Sequence, residues 1–280
     1  MISIAAALAY PDISPIAFEI GPISIKWYGL AYMAGLLIGW QYLKRLVATA
    51  RLWRDGITPL TAAQADDLLL WITIAVIAGG RLGQVLLYEP GHYLSHPADI
   101  LKTWKGGMSF HGALMASGIA IVIFAKQTGV SWRSVMDLCC ASVPFGLFFG
   151  RVANFINSEH WGRETDAALG MVFPNGGPLP RHPSQLYEAA LEGIVLFVIL
   201  RYLTHTVLAL KRPGLVSGAF LVWYAIARTI CEIFREPEFV HALNVGPFTA
   251  GQMYSIPMLL LGVWLIVTAR RAGKSAEAVS

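Results

Sequence analysis

The sequence predicts an all-α integral membrane protein with about seven transmembrane helices, and two observations support that prediction. The first is composition: apolar residues make up 56% of the 280-residue chain, charged residues 14%, and the mean hydropathy is +0.57. Soluble domains carry about 25% charged residues, so this chain cannot cover a water-exposed surface with polar groups. The second is that the apolar residues fall in long runs, which suit the ~30 Å hydrocarbon core of a bilayer.

Seven apolar runs alternate with loops that are rich in proline, glycine and charge. One transmembrane helix needs about 20 residues, so seven helices would use about half of the chain. The remainder leaves room for a small structured head outside the membrane. The runs are Trp27–Leu43, Asp67–Tyr88, Phe110–Ala125, Val135–Gly150, Leu186–Tyr202, Gly214–Ile233 and Gly251–Ala269.

The distribution of lysine and arginine predicts the orientation of these helices. Most of these residues flank one set of alternate loops, which the positive-inside rule assigns to the cytoplasm. We therefore expect the N-terminus outside, the C-terminus in the cytoplasm, and no nucleic-acid partner, because basic residues beside apolar runs indicate topology. The cytoplasmic set comprises Lys44, Arg45, Arg51, Arg54, Lys126, Arg133, Arg201, Lys211, Arg212, Arg270, Arg271 and Lys274.

Glycine pairs spaced four residues apart within the runs predict close helix packing, since small residues let two helix backbones approach. These pairs are Gly35 with Gly39, Gly79 with Gly83, Gly146 with Gly150, and Gly214 with Gly218.

Charged residues inside or at the ends of the runs point to a functional site. A charge at membrane depth is costly and usually marks a substrate pathway or a reaction centre. Arg81, Arg151 and Arg228 are such residues, although for Arg81 a structural ion pair or snorkelling to the interface is an equal alternative. Tyr224, Arg228 and Glu232 are spaced four apart, so they share one face of a helix and indicate an enclosed polar cavity.

Three polar segments lie on the outer side in this topology and predict one shared site. They are residues 106–112, 150–163 and 181–188. His111 is flanked by Phe110 and Gly112 at the start of a run, where a neutral imidazole can act as a general base. A lone histidine is more often structural, so its sequence context leaves both roles open. Asn154 and Asn157 are positioned to hydrogen-bond a substrate or each other.

Metal and nucleotide chemistry have no sequence support. The chain contains no HExxH zinc motif, no GxSxG serine motif and no P-loop. Cys139, Cys140 and Cys231 all lie in apolar runs and have no metal-ligand spacing. We therefore expect no metal and no cofactor.

The motifs together resemble the bacterial prolipoprotein diacylglyceryl transferase family over nearly the whole chain. The shared segments are Trp27-Tyr28-Gly29, GGMSFHG at His111, GRVANFINSEHWGR at Arg151, RHPSQLYEAALEG at Arg181, Tyr224 with Arg228, and Phe234-Arg235-Glu236-Pro237. One departure is Ala113, where the family commonly has a second glycine after the histidine. The segment before Arg181 is also short, which implies a smaller head.

The resemblance implies an activity, a location and partners. Such enzymes transfer the diacylglyceryl group of phosphatidylglycerol to the lipobox cysteine of a prolipoprotein signal peptide, the first step of bacterial lipoprotein maturation. The products are a thioether and glycerol phosphate. The resemblance also implies a multi-pass protein of the bacterial inner membrane that contacts membrane lipids. Its active site would face the periplasm, and residues 1–280 would form one polytopic domain with a periplasmic N-terminus and a small periplasmic head inserted at about residues 155–183.

The same resemblance suggests a role for each candidate residue. His111 is the expected base for the thiol, and Tyr28 and Tyr224 would relay protons or position groups. Arg151 and Arg228 would stabilise the departing phosphate, because guanidinium binds phosphate oxygens bidentately. The expected substrate-binding residues are Arg151, Asn154, Asn157, Glu159, Arg163 and Arg235, of which the last two would guide the anionic lipid head or hold the head domain.

The arginines admit two other interpretations. A transporter for an anionic solute would also place arginines in a membrane cavity, but it would usually show internal repeats, and none is apparent here. A structural or receptor-like membrane protein would not need several arginines that converge with a histidine.

Overall fold

A computed structural model describes residues 8–103, 106–236 and 249–277 of the chain. Pro237, the last residue of one family motif, lies outside these ranges. The chain forms two compact units. The first consists of Met1–Leu43 and Asp137–Ser280, and the second of Lys44–Met136.

Every one of the seven apolar runs is helical. Two segments of these runs are π-helical. Gln84–Tyr88 continues the second α-helix, α2, and Ala189–Val195 connects the sixth, α6, to the seventh, α7. The α-helices are α1 (Trp27–Ala48), α2 (Ala62–Gly83), α3 (Pro90–Ser95), α4 (Phe110–Thr128), α5 (Trp132–Ile156), α6 (Ser184–Glu188), α7 (Leu196–His205), α8 (Leu215–Phe234) and α9 (Ala250–Glu277).

Five helical segments among the described residues are long and apolar enough to cross a membrane, which supports the all-α membrane class. They are Ala62–Tyr88, Phe110–Thr128, Trp132–Ile156, Leu215–Phe234 and Gly251–Arg271. The α1 helix has 22 residues, enough for ~30 Å, but it is not one of these five segments. The continuous helical stretch from α6 to α7 contains the buried Glu188 and Glu192. Seven spans and their orientation stay predictions.

The first unit begins with a hairpin that the sequence analysis did not predict. Strands β1 (Ile16–Ile20) and β2 (Ile23–Lys26) pair antiparallel and lead directly into α1. The apolar residues of so short a hairpin do not stand out against a chain that is apolar throughout, so periodicity gave no signal.

Residues 157–183 of the first unit form an irregular segment instead of a long helix. Isolated β-bridges hold it together, pairing Glu164 and Met171 with Arg181. A further bridge joins Gly162 to Arg235, at the end of α8. The expected head insertion falls on this segment, and its place outside the membrane stays a prediction.

A buried carboxylate fixes the start of α8. Asp137, in α5, is fully buried and accepts hydrogen bonds of 2.7 Å from the backbone N–H groups of Gly214 and Ser217. The N-terminus of a helix carries a partial positive charge, so an anion there is favourable. Gly214 has φ +100°, a conformation that a residue with a Cβ rarely adopts. This contact sets the register of the face that carries Tyr224 and Arg228.

Close packing at glycines is confirmed for three helix pairs. A Cβ on Gly35 would lie 2.9 Å from the Cα of Gly146, which brings α1 against α5. In the second unit, a Cβ on Gly79 would lie 2.6 Å from the carbonyl oxygen of Gly112, between α2 and α4. The Gly218 backbone meets α9 in the same way. Gly150, by contrast, faces open space.

Arg81 has a structural environment, which favours one of its two sequence-based alternatives. The side chain is buried at the end of α2 and donates to the carbonyl oxygens of Ile100 and Gly107 at 2.8 and 2.9 Å, and also to that of Asp99. Its guanidinium lies over the Tyr93 ring, 5.1 Å from the centroid. Arg81 therefore ties the loop that precedes α4 to the end of α2.

We predict that Arg81→Lys loosens this loop. An ammonium group is too compact to reach several carbonyls at once, so buried acceptors would lose their donors. We expect the melting temperature of the detergent-solubilised protein to fall by about 5 °C, with faster proteolysis between residues 99 and 107. Arg54→Lys is the matched control, because Arg54 is exposed and its nearest carboxylate is Asp55 at 3.8 Å. Equal stability of the two variants would contradict the role of Arg81 in tying the loop to α2.

Candidate functional site

The first unit contains a cluster of six charged side chains that are joined by ion pairs. Three are guanidinium groups and three are carboxylates, so the formal charges sum to zero when all are ionised. They come from α5, α6, the π-helical segment after it, and α8 with the residue that follows it. The cluster consists of Arg151, Glu188, Glu192, Arg228, Glu232 and Arg235.

Glu188 is the centre of this charge cluster. Its side chain is 0% exposed and contacts all three arginines. Its Oε1 atom accepts from Nη1 of Arg228 at 2.7 Å and from Nη1 of Arg235 at 2.9 Å, while Oε2 lies 3.2 Å from Nε of Arg151. A carboxylate in so dry a position is tolerable only when it is paired and hydrogen-bonded. Three cations pair with it and Oε1 is hydrogen-bonded, whereas Oε2 has an ion pair but no hydrogen bond among the described residues.

The other two carboxylates each bind one arginine. Glu192 Oε2 lies 3.2 Å from Nη2 of Arg151, and its buried Oε1 has no hydrogen-bond partner among the described residues. Glu232 pairs with Arg228 one helical turn away. Gly251 leaves room for Glu232, since a Cβ there would come within 2.4 Å of the Glu232 Oε1 atom. The start of α9 thus closes against the charge cluster.

The two catalytic tyrosine candidates adjoin the same charges. Tyr224 lies on α8 one turn before Arg228 and interacts electrostatically with Glu192 and Arg151. Tyr28, at the start of α1, interacts with Arg151 and shares a 3.1 Å hydroxyl–hydroxyl hydrogen bond with Tyr32. The expected face of Tyr224, Arg228 and Glu232 is therefore present, and it borders an enclosed polar region.

Asn154 and Glu159 bind each other at the end of α5. The Asn154 amide donates to Oε1 of Glu159 at 2.7 Å. The Gln185 amide donates to the Glu159 backbone carbonyl at 2.6 Å, which attaches this turn to the start of α6. His160 contacts Arg235 through Nδ1 at 3.3 Å. The signature segment after Arg151 therefore wraps over the charge cluster.

Arg163 and Arg235 connect the irregular segment to the end of α8. Arg163 Nε donates to the Arg235 carbonyl at 3.0 Å, and the Arg163 backbone N–H donates to the Phe234 carbonyl at 2.8 Å. Arg163 is exposed, whereas Arg235 is buried within the charge cluster. Of the two roles expected for this pair, the contacts of Arg163 fit the structural one.

His111 belongs to the second unit, in the first turn of α4. Its Nδ1 atom forms a 2.9 Å hydrogen bond with the hydroxyl of Tyr88, and both side chains are accessible. Ser109 caps the helix by accepting from the Gly112 N–H at 3.1 Å. Because Nδ1 is engaged, Nε2 is the nitrogen that faces away from this contact. Tyr88 was not among the sequence-predicted site residues.

Glu188 and Glu192 are site residues that were not predicted from the sequence. Their signal was available, since two glutamates four residues apart in an apolar run are as costly as the arginines. Asn157 differs from the other candidates, because it borders a separate cavity instead of the charge cluster.

Comparisons with known proteins cover nearly all of the chain. The family model described as prolipoprotein diacylglyceryl transferase matches residues 15–268. The chain is 50% identical over 276 residues to a protein of Allorhizobium ampelinum named phosphatidylglycerol–prolipoprotein diacylglyceryl transferase, covering 98% of this chain and 96% of the relative. Proteins of the same name from Rhizobium meliloti and Nitrobacter winogradskyi are each 49% identical over 272 residues, covering 97% and 96% of this chain and 97% and 93% of the relatives.

These matches confirm the resemblance that the motifs indicated. They extend from the hairpin to α9 and include both units of the chain. The identity is near one half over almost the full length of chain and relative. The chain belongs to the prolipoprotein diacylglyceryl transferase family.

Proposed function

We infer that this chain is a transferase that moves the diacylglyceryl group of phosphatidylglycerol to a prolipoprotein, the first step of lipoprotein maturation. The observation that carries the inference is 50% identity over 98% of the chain to a relative named for that activity. The charge cluster supports it, because arginines at membrane depth suit a phospholipid substrate. Family membership also disfavours the transporter and receptor readings.

We propose a seven-span topology in the bacterial inner membrane, as one polytopic domain over residues 1–280. Helix α1 and the stretch from α6 to α7 would be the sixth and seventh spans, in addition to the five apolar segments. The N-terminus and the head at about 155–183 would lie in the periplasm, on the side of the active site, and the C-terminus in the cytoplasm. A contact between the N-terminal segment and the head supports placing them on the same side of the membrane. The Leu8 N–H donates to the Gly170 carbonyl at 2.8 Å.

The proposed reaction is a displacement at a glycerol carbon. The sulfur of the lipobox cysteine forms a C–S bond as the C–O bond to phosphate breaks, and the thiol proton is removed. The departing glycerol phosphate gains negative charge, which Arg151 and Arg228 would stabilise more than the ground state. Their side chains are 18% exposed, and the carboxylates engage Nε and Nη2 of Arg151 and both Nη atoms of Arg228. Nη1 of Arg151 and Nε of Arg228 would donate to the phosphate.

We propose that His111 removes the thiol proton. A free thiol has a pKa near 8.5, so only a few per cent is thiolate at neutral pH. Tyr88 would hold the imidazole by accepting a hydrogen bond from Nδ1–H. In that tautomer Nε2 carries no proton and can take the proton of the thiol. The alternative is that the arginines lower the thiol pKa and no base is needed.

The other candidates would bind or orient substrate. Asn154 and Glu159 would orient the lipid head or Arg151, and Tyr28 and Tyr224 would position the reacting groups. Arg163 and Arg235 would fix the head segment to α8 near the anionic lipid, and Asn157 would contact substrate from its own cavity. The lipid tails and signal peptide would reach the site from the membrane.

The deciding experiment is a transfer assay with purified protein, phosphatidylglycerol and a lipobox peptide in detergent. We expect glycerol phosphate release that depends on the peptide cysteine. A Cys→Ser peptide is the control and should release none. A folded protein that releases nothing from the cysteine peptide would refute the transferase inference.

We predict that Arg151→Lys and Arg228→Lys each lower turnover by at least about 100-fold. Lysine keeps the positive charge beside Glu188, but its single nitrogen cannot hold the carboxylates and reach the phosphate as the separate nitrogens of a guanidinium group do. Alanine is a poorer test, because an unpaired buried carboxylate would cost about 3–5 kcal/mol of stability. Arg181→Lys is the matched control, since Arg181 pairs with Glu164 and Glu236 outside the charge cluster. Near-normal turnover of either cluster variant would remove that arginine from the mechanism.

We predict that His111→Gln lowers single-turnover transfer by about 100-fold or more at pH 7. Raising the pH toward 8.5 should recover rate, because the thiol then ionises without a base. Tyr88→Phe should cost less, since it removes the orienting contact and keeps the imidazole. If His111→Gln retains its activity and gains nothing at higher pH, the arginines activate the thiol instead.

A further inference from the structure

The first unit holds a cavity of mixed polar and apolar lining beyond the end of α5. Its volume is 570 Å³, and it lies between the N-terminal segment and residues of the irregular head segment. Asp12 and Ser14 line one side, and Asn157, Ser158 and Asn175 line the other. Nothing in the mechanism above uses this space, apart from the expectation that Asn157 contacts substrate.

The chemistry of this cavity differs from that of the charge cluster, because the residues described around it offer no guanidinium group. Among its described lining residues none is lysine or arginine, and Asp12 supplies a carboxylate. The last carbonyls of α5 add partial negative charge, because the C-terminus of a helix is the negative end of its dipole. The cavity therefore offers acceptors and repels a phosphate group.

Tyr10 anchors the wall of the cavity to the end of α5. Its hydroxyl donates to the carbonyl oxygen of Phe155 at 2.6 Å, and Ile156 O lies 3.0 Å away. Its ring also packs against Phe155 and Phe173, with centroids 5.3 and 5.2 Å apart. Burial raises the pKa of the Tyr10 phenol, so it remains a donor at neutral pH. These contacts hold the N-terminal segment against both α5 and the head segment.

The cavity also lies close to the charge cluster along the chain. Asn157 follows Arg151, a member of the charge cluster, by six residues, which is about 9 Å along a helix axis. An elongated substrate whose reacting atom is at the charge cluster would therefore reach the cavity within a few residues.

Resting on the proposed function, we propose that this cavity binds the polypeptide substrate, through the residues that follow the modified cysteine. An extended peptide carries a row of backbone N–H donors, which Asp12 and the asparagine carbonyls accept. Phosphatidylglycerol is excluded by charge, since its head is anionic. The enzyme would then bind its two substrates at different places. The phospholipid would bind at the arginines, and the peptide residues after the modified cysteine would bind in the cavity.

The test compares two lipobox peptides, one ending at the cysteine with an amidated terminus and one continuing for six neutral residues. For the unaltered enzyme we expect the longer peptide to have a KM lower by about tenfold. Asp12→Lys, and separately Ala9→Trp, which fills the cavity, should abolish that advantage. The KM values for the short peptide and for phosphatidylglycerol should not change. Asp166→Lys is the matched control, because Asp166 is exposed in the head segment and does not line the cavity.

Each result has a distinct meaning. Equal KM values for the two peptides in the unaltered enzyme would overturn the proposal, as would an Asp12→Lys effect that falls on phosphatidylglycerol. An Asp166→Lys effect equal to that of Asp12→Lys would also overturn it, because the cause would be general charge. Failure to modify either peptide would instead refute the transferase inference, so the two failures are distinguishable. Normal turnover of the short peptide verifies that each variant is folded.

Discussion

The burial of Glu188 among three guanidinium groups is the interaction on which the rest of this site depends. A fully buried carboxylate is stable only with compensation, and here Arg151, Arg228 and Arg235 supply it from α5, α8 and the residue after α8. Buried ion pairs add little net stability compared with apolar packing, but removing one partner is costly. Glu188 therefore fixes which faces of these helices meet, more than it stabilises the fold.

The balance of charge within the cluster determines its chemistry. With Glu192 and Glu232 included, three carboxylates match three arginines, so the arginines do not form an isolated positive patch. A phosphate at this position has to share guanidinium groups that are already held rigidly by carboxylates. Such pre-orientation suits catalysis, because the donors need no rearrangement as charge develops on the leaving group. The π-helical segment from Ala189 aims Glu192 at Arg151, and such segments are common at functional sites.

Other buried polar contacts hold the supporting helices in place. Asp137 sets where α8 begins, and therefore which residues of that helix face the cluster. In the second unit, Arg81 ties the loop before α4, the helix that carries His111 in its first turn. In both contacts a charged side chain forms hydrogen bonds with backbone atoms, which is a structural role and not a catalytic one. They show that an ionisable residue at the end of an apolar run can serve the helix termini as well as the substrate.

The sequence by itself determined the membrane class, the seven helical runs, the glycine contacts and the face of Tyr224, Arg228 and Glu232, because composition and a 3.6-residue period are local properties. The family motifs added the activity. Only the tertiary structure decided the partners of the arginines. Glu188 lies far along the chain from Arg151, and no local pattern specifies a pairing between two helices. The structural role of Arg81 was hidden for the same reason, because the carbonyl groups it binds lie 19 and 26 residues further along the chain. The hairpin is a local element, and it was missed because its apolar residues do not stand out in a chain that is apolar throughout.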